Sequence, residues 1–481
     1  MDLFLISLAV LIGGYFIYGL LIEKIIGVDP KRLTPAQTMT DGVDYIPMPT
    51  WRVFLIQFLN IAGVGPIFGA IMGVMYGPAA FLWIVLGTIF AGAVHDFVSA
   101  HMSLREGGRS LPEIVGTQLG SVVKNVMRLF SIVLLILVGA VFIKTPAGLL
   151  SGMTGYDVWL WVGIIFAYYV LATMLPIDKL IGKIYPIFGA ALLFMAAGLL
   201  GYLLFSGVDI PHNIGEGLDS RFADGSRAIF PMMFVSIACG AISGFHATQS
   251  PMMARCIKNE SLSRPIFYGA MVAEGLVALI WAAAAIAFTG GYSELGEYMS
   301  IHDNNAGALV HDISFGWLGA VGGVLAVLGV VAAPITTGDT ALRSARLIAA
   351  DFLHFDQRPI VKRLIISLPI FTVCLVLLFI NFDVLWRYFA WSNQTLSVFT
   401  LWAATVWLAR RGRLYIVTLL PALFMTMVTV TYLCVAPNPE GFGLGYYPSL
   451  GIAGAVDVIF LCLFAKWRLR LAPVSSLEQA A

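Results

Sequence analysis

Four ionisable side chains lie well inside the central apolar runs of this chain, His95, Asp96, His246 and Glu274, while Asp457 lies in the last run and is left unassigned. Ionisable groups in a bilayer are costly, and they face a partner or a water-filled cavity. Imidazole exchanges protons near neutral pH, and a buried carboxyl can keep its proton there. Counting 1.5 Å per residue, each of the four sits about 5–9 Å inward of the centre of its run. Groups at one depth are expected to form one polar cluster, and the chemistry it suits is proton relay. A fixed structural network is the alternative, with His95 on a carbonyl and Glu274 tying two helices.

Two apolar runs are interrupted at their centres. The first reads Asn60-Ile-Ala-Gly-Val-Gly-Pro66, the second Gly240-Ala-Ile-Ser-Gly-Phe-His-Ala-Thr-Gln-Ser-Pro251. A broken helix bares N–H groups on one half and carbonyls on the other, and lipid satisfies neither. Half-helix N-termini favour carboxylates, and free carbonyls favour cations. A kink filled by a neighbour or by water is the plainer reading of either break alone. The candidate substrate contacts are therefore Asn60, Gly63, Gly65, Gly240, Ser243, Gly244, His246 and Gln249. Asn393 and Gln394 join them from the polar stretch Ser392-Asn-Gln-Thr395. Thr336, Thr337 and Asp339 offer hard oxygen ligands for a sodium-like site, although capping is the plainer role for Asp339.

These residues must be positioned by membrane helices. The chain has 481 residues, 59% hydrophobic and 11% charged, with mean hydropathy +0.89. Soluble domains carry about 25% charged residues. Continuous rather than alternating apolar runs predict an all-α polytopic membrane protein and exclude a β-barrel. We read about 13 spans, at roughly 3–25, 51–76, 80–104, 124–146, 157–175, 184–206, 228–252, 265–289, 314–338, 362–380, 387–409, 413–436 and 449–468. The N-terminus lacks a cleavable leader pattern, so the first helix is expected to be retained. Five cysteines form no CxxC pair, which speaks against a disulfide frame or a zinc site. Net charge +1 gives no reason to expect a nucleic-acid partner; the expected partners are the lipid bilayer and the substrate, and a homo-oligomer stays open.

Lys and Arg concentrate in alternate loops, among them Lys31 and Arg32, Arg105 and Arg109, Arg255 and Arg264, and Arg410 and Arg411. The positive-inside rule then puts the N-terminus outside and the C-terminus inside the cytoplasmic membrane. Span 51–76 starts inside and span 228–252 starts outside, so two five-helix halves run in opposite senses. The expected organisation is an extra helix (1–30), an inner loop (31–50), a first repeat (51–206), an inverted second repeat (228–409) and two final helices with a short tail (410–481). Asp41-Gly-Val-Asp-Tyr45 predicts a turn in the inner loop. Segment 339–354, with Arg343 and Arg346 on one face, predicts an amphipathic helix on the inner surface capped by Asp339 or Thr340. Lys144 is expected to snorkel at the outer end of its span.

No Walker A sequence, HExxH pair or hydrolase constellation occurs, so neither an enzyme nor direct ATP drive is expected, and no cofactor beyond H⁺ or Na⁺ as coupling ion. No selectivity-filter loop favours a channel. A membrane nutrient sensor that binds ligand without net transport is the rival class; it would call for an effector domain.

Several longer motifs carry a resemblance. Gly244-Phe-His-Ala-Thr-Gln-Ser-Pro-Met-Met-Ala-Arg255, Gly92-Ala-Val-His-Asp96, Thr336-Thr-Gly-Asp-Thr340 and Trp386-Arg-Tyr-Phe-Ala-Trp-Ser-Asn-Gln394 resemble signatures of the carbon starvation protein A family, as do Asp41–Tyr45 and Ala62–Pro66. The match runs from about residue 40 to 410. The resemblance implies uptake of peptides under carbon or nutrient starvation, with some members taking pyruvate with protons. It also implies the leucine-transporter-like fold of the amino acid–polyamine–organocation superfamily. Many members are longer towards the C-terminus, so this chain looks like a short form, and its substrate is expected to be a small peptide or a small carboxylate such as pyruvate.

Overall fold

A computed structural model describes residues 2–41, 45–174, 177–210, 228–302, 304–355 and 360–470. Among these residues the regular structure is entirely helical. Helix α1 (Asp2–Ile26) and a short α2 (Pro35–Thr38) precede the first broken element, α3 (Thr50–Ile61) and α4 (Gly65–Val74), whose axes differ by 47°. Next come α5 (Ala79–Gly87), a π-helical turn (Thr88–Gly92) and α6 (Ala93–Arg105), in unbroken succession. A short α7 (Leu111–Leu119) leads into α8 (Ser121–Thr154), α9 (Val158–Met174) and α10 (Ile177–Phe205). The second broken element has three pieces, α11 (Ile229–Ser236), α12 (Ala238–Ala241) and α13 (His246–Ala254). Then follow α14 (Gly269–Thr289), α15 (Tyr292–Ile301), α16 (Ala306–Leu353), α17 (Ile360–Leu377), α18 (Phe382–Arg410), α19 (Ile416–Val435) and α20 (Tyr446–Arg468).

Among the described residues, nine helices are long and apolar enough to cross a membrane, or ten with the bent pair counted as one. Three of the expected spans fall outside that measure for visible reasons. Helix α9 has 17 residues, the second break is in short pieces, and α18 is diluted by Ser392–Thr395.

Both breaks follow from local chemistry. Pro66 has no N–H, so it sits in the first turn of α4, where no donor is required. After α12, Ile242 is fully extended (φ −157°, ψ 140°), and helix resumes only at His246. The two broken elements then pack on one another. Gly65, Gly69 and Gly73 recur every fourth residue on α4 and form one face. A Cβ at Gly65 would collide with Cys239, one at Gly69 would lie 2.8 Å from the Ser236 carbonyl oxygen, and one at Gly73 would collide with Ile237. This is small-residue packing of the kind that lets membrane helices approach closely.

The basic loops gather at one end of the bundle. There Arg264 Nε donates to Glu23 (2.6 Å), Arg255 to the Gly108 carbonyl (2.8 Å), and Arg410 to the carbonyls of Thr117 and Gln118 (both 3.3 Å). Glu260, buried to 2% exposure, is the hub. It accepts from Arg105 Nε (2.5 Å) and Nη2 (3.0 Å) and from Asp29 N (2.7 Å), while Arg105 Nη2 also reaches the Gly27 carbonyl (2.9 Å). These bonds tie the end of α1 to α6 and to the turn before α14. Removing one partner of a buried ion pair costs about 3–5 kcal/mol. Glu260→Gln is therefore expected to lower the unfolding midpoint of the detergent-solubilised protein by several degrees, which a thermal melt checks; an unchanged midpoint contradicts the role given to this hub.

Three expectations need correction or limiting. Segment 339–354 is not a surface helix. It continues α16 without interruption to Leu353; the one internal break lies far upstream at Gly319 (φ 68°). Arg343 and Arg346 are 2% and 5% exposed, and Arg343 Nη2 donates to the Ala172 carbonyl at the end of α9 (2.7 Å). Asp339 is fully buried, and the Thr340 hydroxyl bonds the carbonyls of Thr336 and Thr337, so neither caps a helix. Lys144 does not stand at a helix end, because α8 continues to Thr154. In the Asp41–Tyr45 turn, residues 42–44 lie outside the described residues; at its flanks Asp41 N bonds the Tyr45 carbonyl (3.3 Å) and Tyr45 N bonds Asp41 Oδ1 (2.9 Å).

Candidate functional site

His95 and Asp96 follow the π-helical turn into α6, His246 opens α13, and Glu274 stands in α14. All four side chains are fully buried, and the fold joins them into one chain. His95 Nδ1 lies 2.8 Å from Asp96 Oδ1, and His246 Nδ1 lies 2.9 Å from Asp96 Oδ2. On the other side of its ring, His246 Nε2 faces Glu274 Oε2 at 3.4 Å. An ionised Asp96 accepts one N–H from each imidazole, which fixes both tautomers with hydrogen on Nδ1. His246 Nε2 then faces Glu274 without a hydrogen bond: it and both Glu274 oxygens are buried with no hydrogen-bond partner, 3.4 Å apart at the nearest. A small approach of the two side chains would let the pair hold one proton in either of two states, imidazolium with carboxylate or neutral imidazole with carboxylic acid.

The π-helical turn positions this chain. The Thr88 hydroxyl in that turn donates to the Gly240 carbonyl (3.1 Å), filling an acceptor left bare by the second break. Gly92 packs so tightly on the Ala241 carbonyl that a Cβ there would collide with it. Wide turns of this kind recur at functional sites because they re-aim the side chains that follow.

Asn393 and Gln394 are committed to the second break. Asn393 Oδ1 accepts from Ser243 Oγ (3.0 Å) and Phe245 N (2.7 Å), and its carbonyl accepts from Gly244 N (3.1 Å). Gln394 Nε2 donates to the Ile242 carbonyl (3.2 Å). Helix α18 thus supplies the polar groups that lipid cannot. Gly244 and Ser243 are consumed by the same network, and Gly240 packs against Ala278.

Other polar groups lack hydrogen bonds. Both side-chain polar atoms of Asn60 are buried without a partner, and Gln249 uses Nε2 on Thr248 (2.9 Å) but leaves Oε1 unpaired. Gln57 was not among the expected residues; it is fully buried and both polar atoms of its amide are unpaired. It lies three residues before Asn60, on the same face of α3. The sequence signal for it was an amide inside the apolar run Val53–Ile61.

At the first break, Gly63 lies against Phe142, where a Cβ would be 3.0 Å from the ring. The Thr337 hydroxyl donates to the Leu59 carbonyl (3.1 Å) and also contacts the Ala333 carbonyl (2.9 Å). The three residues expected to form a sodium-like site therefore divide. Thr337 reaches the break, the Thr336 hydroxyl bonds Ala333 of its own helix (2.8 Å), and Asp339 lies 4.0 Å from Arg343. Among the described residues, no group of three or more His, Cys, Asp or Glu is arranged to hold a metal.

Among the described residues, contacts flank the site on both sides. Two cavities of about 510 and 450 Å³ share Met72, Asn304 and Trp386 at the end opposite the basic loops. Neither is lined by a residue of the His–carboxylate chain. An aromatic stack intervenes: Phe68 to Trp386 (6.3 Å between ring centroids), Trp386 to Phe389 (5.5 Å) and Phe389 to Phe142 (5.8 Å), which covers Gly63. At the basic end, the Arg105–Glu260 pair closes the bundle.

Solved structures share the architecture. A point mutant of the Eremococcus coleocola manganese transporter aligns with TM-score 0.52 at 13% identity, covering 90% of this chain and 98% of that one. Among curated sequences, an uncharacterised membrane protein of Haemophilus influenzae is 47% identical over 335 residues, 59% of this chain and 90% of that protein. The pyruvate/proton symporter BtsT of Escherichia coli is 29% identical over 343 residues, 58% of this chain and 48% of the symporter, so the chain spans about half of that relative. The peptide transporter CstA of Bacillus subtilis is 26% identical, with 95% of this chain and 94% of that protein aligned. The model of the carbon starvation protein CstA family matches residues 1–152 and 144–318. The motifs around His95 and His246 thus sit in a multi-pass membrane protein, and the chain belongs to the carbon starvation protein CstA family.

Proposed function

We propose that the chain is a secondary active importer of small carboxylates such as pyruvate, or of small peptides, driven by protons and used under carbon or nutrient starvation. The observation that carries this reading is His246, placed at a helix break between two buried carboxylates, Asp96 at 2.9 Å and Glu274 at 3.4 Å. With one proton shared between His246 and Glu274, the chain holds a single net negative charge. Losing that proton leaves two uncompensated carboxylates in a dry site, which is strongly disfavoured. Release therefore waits until the site opens to water, and that condition couples protonation to conformation. Relatives named as a pyruvate/proton symporter and as a peptide transporter support the substrate class.

Asn60, Gln57 and Gln249 carry the polar contacts to substrate, since their amides have groups to give. Gly63 and Gly65 let it approach the first break. Thr337 with the Leu59 carbonyl is the part of the sodium-like site retained in this proposal. The thirteen-span reading, with inverted repeats at 51–206 and 228–409 and the basic end in the cytoplasm, supplies the framework for alternating access. Uptake into liposomes holding the purified protein tests the reading. Labelled pyruvate or a labelled dipeptide should accumulate above equilibrium under an imposed proton gradient. Accumulation under a sodium gradient alone overturns proton coupling, and binding without accumulation under either gradient overturns transport.

A further inference from the structure

Lys144 interrupts the apolar stretch Val141-Phe-Ile-Lys-Thr-Pro146 in the body of α8. An ammonium group there is costly and calls for a reason. Its Nζ donates to the Ile380 carbonyl (2.6 Å), which uses one of three N–H groups. Lys144 lines the cavity of about 510 Å³ at the end of the bundle opposite the basic loops. His302 and His311 line the same cavity. Asp312, the one carboxylate among the described lining residues, is already engaged by the Tyr298 hydroxyl (2.7 Å) and by His311 Nδ1 (3.0 Å). The inner wall is apolar, formed by Phe68, Leu149 and Trp386. Phe68 and Trp386 also belong to the aromatic stack that separates the cavity from Gly63.

A cation beside an apolar wall, with the acid among the described lining residues already engaged, suits a small molecule that carries one carboxylate and a short apolar body. The volume lies within the range of about 300–1,000 Å³ typical of small-molecule pockets. We propose that this cavity is a vestibule subsite, in which Lys144 takes the carboxylate of an incoming acid or peptide before the aromatic stack opens towards the broken helices. The assignment rests on the carboxylate substrate proposed above.

The test compares full-length wild-type protein with Lys144→Gln and Lys144→Arg in liposomes, offering labelled pyruvate and its neutral amide. A charge-assisted hydrogen bond is worth about 1.5–3 kcal/mol, so KM for pyruvate should rise about tenfold or more in Lys144→Gln. Lys144→Arg should restore most of the affinity, and uptake of the amide should be equal in all three proteins. An unchanged pyruvate KM in Lys144→Gln, or an equal loss in both variants, overturns the subsite while leaving the transport reading intact. If the wild type takes up neither pyruvate nor a labelled dipeptide, the transport reading fails, and equilibrium binding of labelled pyruvate decides the subsite. Binding by wild type that Lys144→Gln loses supports it; equal binding, or none by wild type, overturns it.

Discussion

Glu274→Gln is expected to abolish accumulation driven by a proton gradient while leaving exchange of internal for external substrate. In wild type, a difference of one pH unit is worth ~1.4 kcal/mol per proton, so one proton per substrate supports about tenfold accumulation. The amide keeps the volume of Glu274 and can still meet His246 Nε2, 3.4 Å from the present carboxylate. It cannot take up and release the proton, so accumulation should fall to equilibrium. Full loss of both accumulation and exchange would make Glu274 a structural tie between α13 and α14 instead. Asp96→Asn should differ from Glu274→Gln, because Asp96 holds two imidazoles at 2.8 and 2.9 Å and its loss frees both tautomers.

The second large effect is steric. Gly244→Ala places a Cβ against Ser397 N and the Asn393 carbonyl oxygen, both backbone atoms of α18 that cannot swing aside. The same approach lets Gly244 N bond the Asn393 carbonyl (3.1 Å), so the substitution strains the contact and weakens the polar network of the second break. Overpacking of this kind costs about 1–3 kcal/mol. A melt of the solubilised variant should show a midpoint several degrees below wild type. Gly163→Ala in α9, where a Cβ would meet nothing within 4 Å, serves as the control and should melt at or slightly above wild type. Equal midpoints for the two variants would remove Gly244 from the account of why the helix breaks there.

Depth in the membrane was legible in the chain, and rotation about each helix was not. His95, Asp96, His246 and Glu274 could be placed at one level by counting residues from the ends of their runs, and the structure joins them. The breaks were legible because Gly and Pro act locally, on the residues that carry them. Asn393 and Gln394 look the same in sequence whether they face a substrate or a neighbouring break; only the packing of α18 on Gly244 decides it. Arg343 and Arg346 misled for a related reason. Charge alone points to an interface, but the carbonyl of Ala172 that receives Arg343 lies far away in sequence. Gln57 and the Gly65–Gly69–Gly73 face were within reach, since both are simple spacings of three and four residues on one helix.

The most direct test of the central claim follows protons rather than substrate. Liposomes holding the purified protein are suspended in weak buffer with no imposed gradient, and external pH is recorded as pyruvate or a dipeptide is added. Proton-coupled import through the His246–Glu274 pair predicts a substrate-dependent alkalinisation of the medium by wild type that Glu274→Gln lacks. Alkalinisation of equal size in both proteins, or substrate entry without any proton movement in wild type, would contradict it.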